Sequence, residues 1–130
     1  MIIDASAILA IMLKEQDGAS FKKLIASKSG PHEISAVNYL EVAIRVDRFE
    51  NEEWSEGLDP LMALLGVDIA PVTADQAVKA RQAYRQFGKG NHPARLNLGD
   101  CFAYALSKAR SEPLLYKGDD FRQTDVEAAA

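Results

Sequence analysis

The sequence predicts an α/β fold: a mostly parallel sheet covered by helices on both faces. Three observations carry that expectation. Short apolar runs alternate with longer helical stretches, the pattern of successive βαβ units. The apolar content, 48%, is that of an ordinary globular protein. The length, 130 residues, suits one domain, and such a chain buries roughly two-thirds of its unfolded surface without a disulfide or metal staple.

Each element has its own signal. Met1 to Asp4 reads as the first strand, followed by a helix to about Lys14. Asp17 or Gly18 opens a second helix to about Ser27, and Ser29-Gly30-Pro31 breaks the chain. His32 to Ile34 is a short second strand. Ser35 then caps a helix from Ala36 to about Phe49. Asn51 to Glu56 is helical, but Gly57 and Asp59-Pro60 predict a break or kink before a renewed helix that ends near Leu65-Gly66. The third strand lies within Val67 to Val72. Thr73-Ala74-Asp75-Gln76 has the form of a capping box and opens a helix to about Phe87. Gly88 to Pro93 is a loop, and a helix covers about Gly99 to Arg110. Leu114 to Tyr116 forms strand four, Gly118-Asp119-Asp120 a turn, and Val126 starts a short closing strand.

Composition narrows the setting. Cys101 is the only cysteine, so no intramolecular disulfide forms and a reducing compartment fits. Met1-Ile2-Ile3 reads as a strand rather than the start of a signal peptide, and no apolar run approaches a membrane span. The expectation is a cytoplasmic protein. The net charge of −4 argues against a general nucleic-acid coater, but its distribution is uneven. No acid lies between Asp75 and Asp100, while Lys79, Arg81, Arg85, Lys89 and Arg95 all do. Such a stretch serves either as a solvated surface or as a grip on a phosphodiester backbone.

Four acids stand in apolar settings: Asp4, Glu41, Asp100 and Asp119. Desolvating an acid is costly unless something pairs with it, so the set suggests one shared site around a hard divalent cation. Asp4 and Asp119 fall just past strand ends, where open parallel sheets bind ligands. Glu41 reaches that crevice only if its helix crosses the same end of the sheet. Each acid also has a plainer use. Asp4 can cap a helix, Glu41 can pair with Arg45, Asp100 can complement a helix dipole, and Asp119 and Asp120 suit a turn. Ser6 and Asn38 are secondary candidates whose simplest use is local capping. His92 reads as solvent-exposed, Cys101 as a buried thiol and Trp54 as a packing residue.

In series, Met1-Ile2-Ile3-Asp4-Ala5-Ser6-Ala7, the mid-helix Glu41, Leu98-Gly99-Asp100-Cys101-Phe102-Ala103-Tyr104-Ala105 and Leu114-Leu115-Tyr116-Lys117-Gly118-Asp119-Asp120-Phe121 resemble the PIN domain, and more narrowly the VapC ribonuclease toxins. The resemblance spans nearly the whole chain. It implies a three-layer α/β/α fold with four or five strands over residues 1–130, and a magnesium- or manganese-dependent endoribonuclease. It also implies a homodimer held inactive by a VapB antitoxin. Carried over, Asp4 and Asp100 are the primary metal ligands. Glu41 and Asp119 bind through water or orient the nucleophile. The compressed Gly118-Asp119-Asp120-Phe121 departs from the family pattern and makes Asp120 a second candidate for the fourth place. The basic residues from Lys79 to Arg95 are RNA-backbone candidates.

Three rivals share some of these features. A haloacid-dehalogenase-like phosphatase wants a second Asp where Ser6 stands. A receiver-like signalling module wants an acid after strand three, where Pro71-Val72-Thr73 stands. A catalytically dead interaction module needs none of the four acids.

Overall fold

The computed structural model describes residues 1–130 throughout. Four strands, β1 (Ile2–Ile3), β2 (His32–Ser35), β3 (Val67–Ala70) and β4 (Leu114–Leu115), alternate with six helices. The helices are α1 (Ala5–Met12), α2 (Gly18–Ser27), α3 (Ala36–Asp47), α4 (Glu52–Leu65), α5 (Ala74–Phe87) and α6 (Leu98–Arg110). The sheet order is β3-β2-β1-β4 and every pairing is parallel. A lone parallel bridge joins Leu114 to Ala128, which is all that forms of the closing strand expected at Val126.

Strand alternation divides the core in two. Ile3, Ile34, Val67 and Leu115 pack with α1 to α4 on one face. Ile2, Ala70 and Leu114 pack with α5 and α6 on the other. Consecutive residues point to opposite faces of a strand, so a two-residue strand such as Ile2–Ile3 feeds both cores. The result is the three-layer arrangement expected, with a parallel sheet between two helical layers.

The largest difference from expectation is α4. It runs unbroken from Glu52 to Leu65 through Gly57 and Pro60. An interior proline costs a helix about 3 kcal/mol. Here Leu58, Met62 and Leu65 are all buried on the α1–α4 core, and that packing outweighs the local cost. Gly66, at φ +66, ends the helix in the left-handed conformation that glycine adopts without strain. The remaining elements differ from expectation only by a few terminal residues, apart from a 3₁₀ turn at Asp120–Gln123 where a plain turn was expected.

Topology places the crevice. The chain steps from β1 outward to β2 and β3, then crosses back through α5 and α6 to β4 on the far side of β1. The direction of winding therefore switches between β1 and β4, and the space beyond their carboxyl ends is where such a sheet takes a ligand.

Candidate active site

Asp4 follows β1 directly and caps α1, so the helix-cap use is real. It is nonetheless 5% exposed. The Ser6 backbone N–H donates to its Oδ2 at 3.0 Å and the Ser6 hydroxyl donates to the same atom at 2.6 Å. The Ser6 hydroxyl oxygen in turn accepts from the Lys117 N–H at 2.9 Å. Ser6 thus ties Asp4, the start of α1 and the segment after β4 into one corner, which is more than a cap. Burial pushes the Asp4 carboxyl up, against the Ser6 hydrogen bonds that pull it down, and Asp120 adds repulsion.

Glu41 reaches the same end of the sheet because α3 crosses it. The amide nitrogen of buried Asn38 donates to Glu41 Oε1 at 2.7 Å and to the Gly99 carbonyl at 2.9 Å. These bonds fasten α3 to the first turn of α6. The ion pair that spacing allows between Glu41 and Arg45 does not form. Desolvation raises the Glu41 carboxyl, the Asn38 bond opposes it, and Asp4 repels it.

Asp100 lies in the first turn of α6 in a reciprocal capping box. Its N–H donates to Asn97 Oδ1 at 2.9 Å and its Oδ2 accepts from the Asn97 N–H at 3.0 Å. Desolvation raises its pKa to about 7, against the bond from Asn97. Asp4, Asp120 and Glu41 all add repulsion. A carboxyl that titrates near neutrality beside other acids is a mark of a functional site.

The structure treats the fourth acid differently. Asp119 is exposed and pairs with Arg122 at 3.2 Å. Asp120, one residue on, is the acid whose charge bears on Asp4 and Asp100. Gly118, at φ +98, turns the chain between β4 and this pair.

No three carboxylate, imidazole or thiol side chains crowd closely enough to enclose a metal ion by themselves. The pocket expected to draw all four acids around one ion is therefore looser than a cage. A hard divalent cation still fits the donor set. Magnesium keeps most of its waters and needs only one or two direct carboxylates. Asp4, Glu41 and Asp100 repel one another, and a cation would relieve that repulsion.

Gly99 is the residue that sequence reasoning missed. A Cβ there would overlap the Glu41 carboxylate as it now stands, so any side chain at this position would push that carboxylate aside. The available signal was a glycine in the first helical turn, where a better helix former is expected.

The basic stretch does not form one band. Lys79 shares a depression with Gln82, Gln86, Lys108 and Asp125. Arg81 faces the other way, into an apolar groove of about 330 Å³ with Tyr84, Leu98 and Phe102. Arg85 lies one helical turn beyond Arg81, and Lys89 and Arg95 lie in the loop before α6. All five cations are exposed and none makes an ion pair. His92, expected to be solvent-exposed, is half-buried. Its ring meets Phe87 edge-on, and its Nδ1 accepts from the Ala94 N–H at 3.0 Å. Cys101 is buried, with its thiol pushed up to about 11 by desolvation, which fits a structural role. Trp54 packs edge-on against Phe49, as expected.

A winding switch with three converging acids is the ground on which sequence comparison meets the structure. The PIN domain model matches residues 1–127, and the chain belongs to the PIN domain family. Its curated relatives within the family are VapC ribonucleases. One from Mycobacterium bovis is 45% identical over 130 residues, 99% of this chain and 98% of the relative. Ribonuclease VapC30 of Mycobacterium tuberculosis is 41% identical over 130 residues, 100% of this chain and 98% of its own. Ribonuclease VapC of Mycolicibacterium smegmatis is 44% identical over 128 residues, 98% of each chain. Among solved structures, Mycobacterium tuberculosis VapC20, described as a Sarcin-Ricin loop cleaving toxin, superposes with a TM-score of 0.75 at 19% identity, covering 96% of this chain and 95% of its own. A toxin-antitoxin complex from Klebsiella pneumoniae gives 0.69 at 18% identity, covering 95% and 92%. At those identities the structures speak for the fold.

Proposed function

We propose that this chain, acting as one domain, is a VapC-type endoribonuclease, the toxin of a type II toxin–antitoxin system. The observation that carries the reading is the convergence of buried Asp4, half-buried Asp100 and the Glu41 carboxylate at the β1/β4 switch. Near-full-length similarity to VapC ribonucleases supports the same activity. PIN-family membership sets aside the phosphatase and receiver alternatives.

Asp4 and Asp100 are the residues to hold a magnesium or manganese ion. When bound, that ion acidifies a coordinated water and offsets charge on the phosphoryl oxygens. Asp4 is oriented by Ser6, and Asp100 by the Asn97 backbone. Glu41 has one oxygen held by Asn38 and no protein donor on the other, which suits it to orient the attacking water. Asp120 serves as the fourth acid in preference to Asp119, because its charge reaches the cluster and that of Asp119 is spent on Arg122. Arg81, Arg85, Lys89 and Arg95 grip the RNA backbone near the head of α6, and Lys79 grips it from the opposite flank of α5.

A VapB-type antitoxin neutralises the enzyme by occupying this crevice. Leu40 and Ile44 on α3 and Leu98 at the head of α6 expose apolar surface beside it. A second copy of the chain covers that surface in a homodimer. No helix is long and apolar enough to cross a membrane, and the proposed place of action is the cytoplasm. The test is cleavage of bulk bacterial RNA with magnesium or manganese. Wild-type protein should cut, a chelator should stop it, and Asp100→Asn should be inactive. Cutting by Asp100→Asn at the wild-type rate would refute the assignment.

A further inference from the structure

We infer that Asn38 is a positioning residue, which sets the Glu41 carboxylate against the opening turn of α6 and so fixes the spacing of Glu41 and Asp100. The inference rests on the ribonuclease site proposed above. Asn38 has no exposed surface, and its one amide nitrogen serves two partners on different helices. The Gly99 carbonyl can only accept, so the amide orientation is chemically forced. That orientation leaves Asn38 Oδ1 buried without a partner. A buried, unpaired acceptor is a liability to the fold, and an apolar side chain of similar size would remove it. A group kept in the core at such a cost is kept for its two donated bonds.

Those bonds act on the site rather than on a generic helix contact. Asn38 sits one turn before Glu41, and the carbonyl it holds belongs to the residue before Asp100. Gly99 completes the fit, since any side chain there would displace the Glu41 carboxylate that Asn38 holds. Asn38 and Gly99 therefore form a two-part seat for Glu41, a hydrogen bond on one side and open space on the other.

The decisive variants are Asn38→Leu and Asn38→Ala, each also combined with Glu41→Gln. Manganese binding by calorimetry and initial rates on bulk RNA are measured beside thermal unfolding. Orienting groups behind metal ligands typically contribute 10- to 100-fold in metal affinity or activity. The expected result is a loss of that size from a folded protein, in either variant. In the Glu41→Gln background the same Asn38 change should cost less than threefold more, because its target is already gone. Wild-type manganese binding and cleavage in a folded variant would overturn the inference. So would additive losses in the double variants, or unfolding of both single variants, either of which assigns Asn38 to the fold alone. If Asp100→Asn is inactive while Asn38→Leu is not, only this inference fails. If Asp100→Asn cleaves normally, the site reading itself fails.

Discussion

The ends of β1 and β4 make an instructive pair. The two strands are neighbours, parallel and in register, with Ile2 opposite Leu114 and Ile3 opposite Leu115. Each is followed by an acid at the mouth of the same crevice. Yet Asp4 is 5% exposed, whereas the Asp119 side chain is 81% exposed. The cause is what comes next in the chain. After β1 a helix starts at once, so its cap residue is pinned between strand and helix. After β4, Tyr116-Lys117-Gly118 intervene, and the turn at Gly118 carries Asp119 outward. A residue's place relative to the next element, not its chemical type, decides whether its charge is desolvated.

The largest effect should come from changing the buried member of that pair. Asp4→Asn is expected to lower RNA cleavage by about 100- to 1,000-fold, the range lost when a key electrostatic group leaves an active site. Asp119→Asn should stay within about twofold of wild type, with Asp120→Asn between them. Initial rates for the three variants under one metal concentration check the ranking. Comparable losses from Asp4→Asn and Asp119→Asn would dissolve the distinction drawn between the two strand ends.

Next in size is Ser6→Ala. It removes the hydroxyl that donates to Asp4 and accepts from the Lys117 N–H, the side-chain link between the two strand ends. The expected cost is about 1 kcal/mol of stability with about a tenfold loss of cleavage. Chemical denaturation and rate assays measure both. An unchanged rate in Ser6→Ala would mean that burial and the backbone N–H of residue 6 suffice to hold Asp4.

Why sequence reasoning placed some of these features and not others follows from the same contrast. Asp4 and Asp100 were legible because local rules put them at a strand end and a helix start. The parallel sheet was legible because Ile2-Ile3 and Leu114-Leu115 are short apolar runs between helical stretches. Glu41 was legible only conditionally, since nothing local says where α3 crosses the sheet. That depends on the Asn38–Gly99 bond, 61 residues apart in sequence. Pro60 misled because a proline's local cost is visible in sequence and the burial of Leu58 and Met62 is not. The arrangement of the basic stretch was likewise hidden. Its continuity in sequence becomes two opposite flanks once α5 forms, since Lys79 and Arg81 are about 200° apart around a helix with 3.6 residues per turn.

The smallest predicted effect concerns pH. The folded-state pKa of Asp100, about 7, lies above the ordinary value of 3.8. Between the two, the folded protein holds a proton that the unfolded chain has released. Stability of the metal-free protein is therefore highest at the acid end of that window and falls as pH rises through it. Added magnesium should flatten the decline, because a cation stabilises the ionised form. Thermal unfolding from pH 4 to 7, with and without magnesium, checks the sign. A metal-free protein that gains stability over that range would contradict it.

The most direct test is a carbon-13 NMR titration of the aspartate carboxyls in metal-free protein, wild type and Asp4→Asn. If Asp4, Glu41 and Asp100 form one repelling cluster, Asp100 titrates near pH 7 in the wild type and lower once the Asp4 charge is gone. An Asp100 that titrates in the ordinary carboxylate range, indifferent to Asp4, would contradict the cluster on which the site is built.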